Sequence, residues 1–255
     1  MTYYESFGEG RPIVFLPGWG GDNGESQAVH EPVFADRTGW RRIYVDPPGT
    51  NHRPGDPSIT DQDGILDAIA DTIAEALGDD TFALSGTSAG ALHARGLVRR
   101  DPARVLGLLL RVPGVIADRA ARTLPTDDYL HHTAAFDAAV QAKDDAYYDP
   151  AEQAADLEFL DRIQADPSTY ALREDPAARF ERPTLIVTGR QDTITGYADA
   201  WALLDDYPTA TFAVLDQEDH GLPVRRPALY QVLVADWLDR MEASRISGVE
   251  KHPGA

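Results

Sequence analysis

Cysteine is absent from the 255 residues. That excludes structural disulfides, thiolate metal sites and a cysteine nucleophile. Positive charge is scarce, with 23 Lys and Arg against 42 Asp and Glu and a formal net charge of −19. Binding a phosphate backbone requires a cationic surface, so nucleic acid is excluded as a partner. An anionic membrane surface is disfavoured for the same reason, and so are polyanionic substrates such as nucleotides or acyl-CoA. No apolar run approaches the ~20 residues needed to cross a bilayer. Residues 1–10 have neither the basic start nor the apolar stretch of a signal peptide. A soluble cytoplasmic protein is the expectation. The phosphate-binding glycine loops are missing from the places where a nucleotide fold needs them, and no H-E-x-x-H or dense histidine–carboxylate cluster occurs. Neither metal nor cofactor is therefore expected, and the partner expected is a small-molecule substrate.

What the chain does contain is an alternation of short apolar runs with helical segments. Strands are expected at 13–16, 42–45, 82–84, 105–110, 185–187 and 211–215, with a further short one near 3–7. Such alternation indicates an α/β fold with a mainly parallel sheet. Ile65, Ile69, Ile73 and Leu77 recur every four residues, one face of a helix, and Gly78 follows as its stop. Leu229, Leu233, Trp237 and Met241 form a second such stripe, read as a helix packed on the sheet.

The most informative residues are Gly86-Thr87-Ser88-Ala89-Gly90. They close the apolar run 81–84 and open the helical stretch 91–99. Strand, G-x-S-x-G, then helix is the context of a nucleophile elbow. The serine sits on a sharp turn with its hydroxyl projecting outward, and flanking glycines let neighbouring backbone pass close by. The N–H of Ala89 points into the same space and can donate to an oxyanion. A serine hydroxyl needs a base, and the base works best when a carboxylate orients it. Asp192 lies just past the strand at 185–187, and His220 just past the strand at 211–215. Ligands in open parallel sheets bind beyond the carboxyl ends of the strands, which puts Ser88, Asp192 and His220 on one edge. Asp118, after the strand at 105–110, is the alternative acid. Surface or capping roles are the competing readings for Asp192 and His220. Of the remaining histidines, His93 falls one turn into the helix after the serine and reads as a packing or surface residue. His30 and His52 lie in early loops, and His131, His132 and His252 lie outside any sheet context.

With these residues in place the chain resembles the α/β-hydrolases of the serine-hydrolase, carboxylesterase-like type. The resemblance rests on Phe15-Leu16-Pro17-Gly18-Trp19-Gly20-Gly21, Tyr44-Val45-Asp46-Pro47-Pro48-Gly49, Gly86 to Gly90, Leu185 to Asp192, and Asp219-His220-Gly221. It covers roughly residues 10–240 and implies the α/β-hydrolase fold with a helical cap. It further implies Ser88 as nucleophile, His220 as base, Asp192 as its partner, and the N–H of Trp19 as second oxyanion donor beside Ala89. Gly18 and the Trp19 indole should then adjoin the substrate. Pro17 departs from the family, which commonly has histidine before the glycine of that turn. Proline fixes its own φ and lacks an N–H, so the loop is braced differently, while Trp19 and Ala89 keep their donors.

The stretch 113–182 interrupts the alternation and is read as the helical cap, with helical signals near 127–141, 151–165 and 167–179. Residues 1–112 and 183–241 form the hydrolase core, and 242–255 is expected to be a loose tail. Tyr129, Phe136, Tyr147 and Tyr148 of the cap are candidate pocket residues, each with core packing as the competing role. The expected activity is hydrolysis of a small or medium carboxylic ester, thioester or lactone through an acyl-enzyme. The same groups also suit C–C bond hydrolysis or acyl transfer, and the fold also serves isomerases, cyclases and ligand-binding proteins. Oligomeric state is not legible.

Overall fold

A computed structural model describes residues 2–126, 133–174 and 179–249. Seven strands form one sheet: β1 (Tyr4–Phe7), β2 (Arg11–Leu16), β3 (Trp40–Val45), β4 (Phe82–Thr87), β5 (Val105–Arg111), β6 (Thr184–Gly189) and β7 (Ala210–Leu215). Their order is β1-β3-β2-β4-β5-β6-β7. The edge strand β1 runs antiparallel to β3, and every other pairing is parallel. Helices α1 (Asn23–Phe34), α2 (Gln62–Leu77), α3 (Ala89–Arg100) and α8 (Pro227–Val249) flank it, and α7 (Ala198–Trp201) is a single short turn.

Alternation along each strand builds two cores. Val14, Leu16, Ile43, Val45, Leu84 and Leu110 face one side, where Ile65, Ile69 and Ile73 of α2 and Ala91, Ala94 and Val98 of α3 cover them. Ile13, Phe15, Tyr44, Ala83, Leu109 and Val187 face the other, under Val29 and Phe34 of α1 and Tyr230, Val234, Trp237 and Leu238 of α8. A sheet buried on both faces explains why the strands read as continuous apolar runs. Each large aliphatic residue buried this way contributes about 1.5–3 kcal/mol. Helix ends are set locally. The Asp61 carboxylate accepts from the Gly64 N–H at 3.0 Å at the start of α2, and Gly78 stops that helix at φ +55°, a conformation that glycine adopts without a Cβ penalty.

The second apolar stripe needs correcting: Leu229 is exposed, and Tyr230, Val234, Trp237, Leu238 and Met241 make the buried face. The loose tail is also overturned in part, since α8 continues to Val249. Glu242 ties this extension down, its Oε1 accepting from Arg37 Nη1 and from the Trp40 indole, both at 2.8 Å. Residues 250–255 lie outside the described residues.

Between β5 and β6 the described residues contain no strand. Helices α4 (Ala134–Lys143), α5 (Asp149–Ala154) and α6 (Leu157–Gln164) occupy this stretch, with a π-helical turn at Asp144–Tyr148. Thr133 caps α4 through the Phe136 N–H at 3.2 Å, and 127–132 lie outside the described residues. The helix expected at 151–165 is broken before Asp156, which caps α6 by accepting from the Phe159 N–H at 3.2 Å. The helix expected at 167–179 does not form over 167–174, which are turns and bends. Asp166-Pro167-Ser168 is the cause, because proline disfavours helix in the residue before it and the Asp166 carboxylate accepts from the Ser168 N–H at 2.8 Å. No described helix is long and apolar enough to cross a membrane.

Candidate active site

Ser88 stands between β4 and α3 with φ +53° and ψ −115°. A positive φ at a residue with a side chain is strained and persists only where its surroundings enforce it. Here they do. A Cβ on Gly86 would lie 2.2 Å from the Gly90 carbonyl oxygen, and a Cβ on Gly90 would lie 2.3 Å from that of Pro17. Both glycines are therefore steric necessities. The Ser88 N–H donates to the Arg111 carbonyl at 2.9 Å, and the Gly114 N–H donates to the Ser88 carbonyl at 3.2 Å.

The Ser88 hydroxyl lies 2.9 Å from His220 Nε2, and His220 Nδ1 lies 3.0 Å from Asp192 Oδ2. Asp192 is fully buried. Its Oδ1 accepts from the N–H groups of Ile194 at 2.8 Å and Thr195 at 3.0 Å. Its Oδ2 also accepts from the Thr195 hydroxyl at 2.7 Å. Burial pushes the carboxyl pKa up, but hydrogen bonding and charge from His220 and the bonds from Thr195 outweigh it, so Asp192 is held below the ordinary carboxylate value. An ionised Asp192 fixes the proton of His220 on Nδ1 and leaves Nε2 free to accept from Ser88.

The two loops are stitched together by Gln191 and Glu218. The Gln191 N–H donates to the Glu218 carbonyl at 2.9 Å, and Gln191 Oε1 accepts from the Glu218 N–H at 3.0 Å. The buried Glu218 carboxylate in turn accepts from the N–H groups of Val224, Arg225 and Arg226.

Ser88 and His220 open onto a cavity of about 1250 Å³. Gly18, Trp19, Ala89 and Tyr148 line it. Gly18 packs against the serine, since a Cβ there would stand 3.4 Å from Ser88 Cβ. The Ala89 N–H heads α3 and is among the donors that a helix leaves without an internal partner. Phe136 and Tyr147 do not line the cavity. Phe136 is buried within the helical segment, and Tyr147 faces away because successive residues of a helical turn point in different directions. Tyr129 lies outside the described residues, as do His131, His132 and His252. Asp118 sits at the cavity rim and caps a 3₁₀ turn through the Ala120 N–H at 2.9 Å. His93 is buried with Nε2 2.6 Å from Gln62 Oε1, and His30 is buried between the Ser26 carbonyl and the Tyr230 hydroxyl. No group of three or more metal-ligating side chains occurs among the described residues.

Several features were missed from the sequence. Thr195 had a signal, since Asp-x-x-Thr is a local pattern for side-chain turns. The buried ion cluster beside His220 had none. Arg111 donates through both terminal nitrogens to Glu25, the Nη1–Oε1 contact being 2.8 Å. Lys143 of α4 meets Glu25 Oε1 at 2.7 Å and also donates to the Gly221 carbonyl. Burial pushes the Glu25 carboxyl up, but the charges of Arg111 and Lys143 prevail and hold it far below the usual carboxylate range. Lys143 is lowered, chiefly by burial. The cluster fastens the helical segment to the sheet edge.

Fold and serine-centred hydrogen-bond chain together define the class: the chain has the α/β-hydrolase fold. The family model described as alpha/beta hydrolase fold matches residues 11–130. An α/β superfamily hydrolase from Oenococcus oeni PSU-1 superposes with a TM-score of 0.80 at 23% identity, covering 94% of this chain and 96% of that one. An esterase from Exiguobacterium antarcticum gives 0.70 at 17% identity, covering 93% and 95%. Nearer in sequence is the pimeloyl-[acyl-carrier protein] methyl ester esterase of Shewanella woodyi, 35% identical over 107 residues, 42% of this chain and 38% of that protein. The enzyme of that name from Legionella pneumophila is 31% identical over 108 residues, 42% of this chain and 40% of that protein. The chain thus spans about two-fifths of the length of the curated relatives it matches.

Proposed function

We propose that the chain is a serine hydrolase that cleaves a small or medium carboxylic ester, thioester or lactone through an acyl-enzyme. The observation that carries this reading is the continuous chain from the Ser88 hydroxyl through His220 to buried Asp192, at 2.9 and 3.0 Å, opening on a 1250 Å³ cavity. The esterase names of the relatives support it. Ser88 Oγ attacks the carbonyl as His220 Nε2 takes its proton. Asp192 keeps the imidazole oriented and stabilises the imidazolium. The N–H groups of Ala89 and Trp19 receive the oxyanion, a donor whose loss typically costs about 2.7–4 kcal/mol in the barrier. His220 then protonates the leaving group, and water repeats the cycle on the acyl-enzyme. The segment 113–182 acts as a cap over the site, closing the acyl pocket against water. The same reading takes the substrate to be a small molecule and the protein to work in the cytoplasm.

Labelling with a fluorophosphonate, read by intact-protein mass, tests the nucleophile. The wild-type chain should gain one adduct and Ser88→Ala none; equal labelling of both would overturn the assignment. Turnover of p-nitrophenyl esters should fall steeply in Asp192→Asn and stay near wild type in Asp118→Asn, and the reverse order would move the acid to Asp118.

A further inference from the structure

Arg95 is a buried charged residue of the cavity wall that the proposed chemistry leaves without a role. It lies on α3, only 4% exposed, and lines the same cavity as Ser88. Its Nε is buried with no hydrogen-bond partner. Among the described residues no carboxylate or carbonyl meets its guanidinium. The other arginines of the helix are matched, Arg99 with Glu174 at 3.0 Å and Arg100 with Asp67 at 2.7 Å. Arg119, at the same cavity, is exposed to solvent, and the other two cations that line it are matched. Arg122 donates to the carbonyls of Ile116, Ala117 and Ile194, and Lys143 is paired with Glu25. A buried charge is expensive unless it is paired. In a chain of net charge −19, an unpaired buried cation facing a cavity marks a place reserved for an anion that arrives with the ligand.

Helix geometry says where that anion belongs. Ser88, Leu92 and Arg95 are spaced i, i+4 and i+7, so they share one face of the helix. Seven residues rise roughly 10 Å along the axis, and helical side chains lean back toward the N-terminus. Leu92 lies between serine and arginine, and Val115, Leu172 and Leu203 also line the cavity. Those apolar walls suit a methylene chain running from the scissile carbonyl to the guanidinium. A single guanidinium balances a single negative charge and pairs with a carboxylate through two parallel hydrogen bonds.

We propose that Arg95 forms a carboxylate subsite, so that the preferred substrate is an ester whose acyl chain ends in a free carboxylate roughly 10 Å or less from the scissile carbonyl, such as a half-ester of a dicarboxylic acid. The proposal rests on the esterase reading for its chemistry and on Arg95 alone for its specificity.

Monomethyl esters of dicarboxylic acids from succinic to sebacic, set beside methyl esters of monoacids of matching length, test it. The wild-type chain should favour the acidic ester by about 10- to 100-fold in kcat/KM at the best length, the range expected for hydrogen bonds to a charged group. Arg95→Met should bring the ratio between the two series to about one, and Arg95→Lys should restore part of it. Arg95→Met should also melt no lower than wild type, because it removes an unpaired buried charge; a steep loss of stability would mean that the arginine serves the fold. Neutral esters cleaved by the wild type with no preference for the acidic series would sink the subsite and leave the esterase reading standing. If no ester is cleaved and Ser88 takes no label, the esterase reading fails by itself. Calorimetric titration of suberate into Ser88→Ala protein then decides the subsite independently: binding that Arg95→Gln abolishes upholds it, and no binding overturns it.

Discussion

Thr195→Val probes the carboxylate on which the hydrogen-bond chain depends. Valine nearly matches threonine in shape, so the change removes a hydroxyl without opening a cavity. That hydroxyl lies 2.7 Å from Asp192 Oδ2, the same oxygen that meets His220 Nδ1. Asp192 is fully buried, so water cannot replace the lost donor. A hydrogen bond to a charged group is worth about 1.5–3 kcal/mol. For a chain of this size each kcal/mol moves the melting midpoint by about 2–4 °C, which gives a drop of about 3–12 °C at neutral pH. The dependence on pH makes the test specific. The folded-state pKa of Asp192 is depressed, with burial opposing and His220 and Thr195 prevailing. A depressed carboxyl contributes stability that is present above its unfolded pKa and lost as pH falls through the folded one. The gap between wild type and variant should therefore be widest at neutral pH and close in acid. Urea unfolding across that range measures it. A variant as stable as wild type at neutral pH, or a gap that persists undiminished in acid, would refute the reasoning.

Breaking the buried cluster by Glu25→Ala leaves Arg111 wholly buried without its carboxylate and should cost about 3–5 kcal/mol, read by urea unfolding; a loss under ~1 kcal/mol would show that the charges are not coupled as drawn. Two buried histidines steepen the neutral-to-acid loss of stability, against a smaller opposing gain from Asp46, which burial pushes up to about 6. Burial lowers His93 to about 4 and His30 to about 3, so the unfolded chain takes up these protons first and stability is lost as pH falls below the ordinary histidine value. Each should contribute on the order of 2 kcal/mol of loss by pH 5, and an unfolding free energy that stays flat from neutral pH to pH 5 would contradict their burial as neutral rings.

The local chemistry of this chain was open to reading because it is written in adjacent residues. Gly86, Ser88 and Gly90 announce a turn that only two glycines can flank, and the close approaches to the Gly90 and Pro17 carbonyls are the steric fact behind the pattern. The strands were visible because a sheet covered on both faces needs unbroken apolar runs. Helix boundaries between β5 and β6 were harder, since an Asp-Pro pair and a capping aspartate decide them against a background of alanine and acid. The cavity lining was harder still. Phe136 and Tyr147 have the right composition to line a pocket and point elsewhere, while Thr195 and Arg95, of no special composition, face it.

The sequence by itself determined the fold class, the strained serine and the chain order of serine, acid and histidine, because turn sterics and hydrophobic periodicity act over a few residues. Only the tertiary structure decided that His220 reaches Ser88 across 132 positions, that Glu25 and Arg111 meet across 86, and that Arg95 faces the cavity unmatched among the described residues. Those outcomes depend on which side chains packing brings within a few ångströms of one another, and that proximity is a property of the whole sheet and its covering helices.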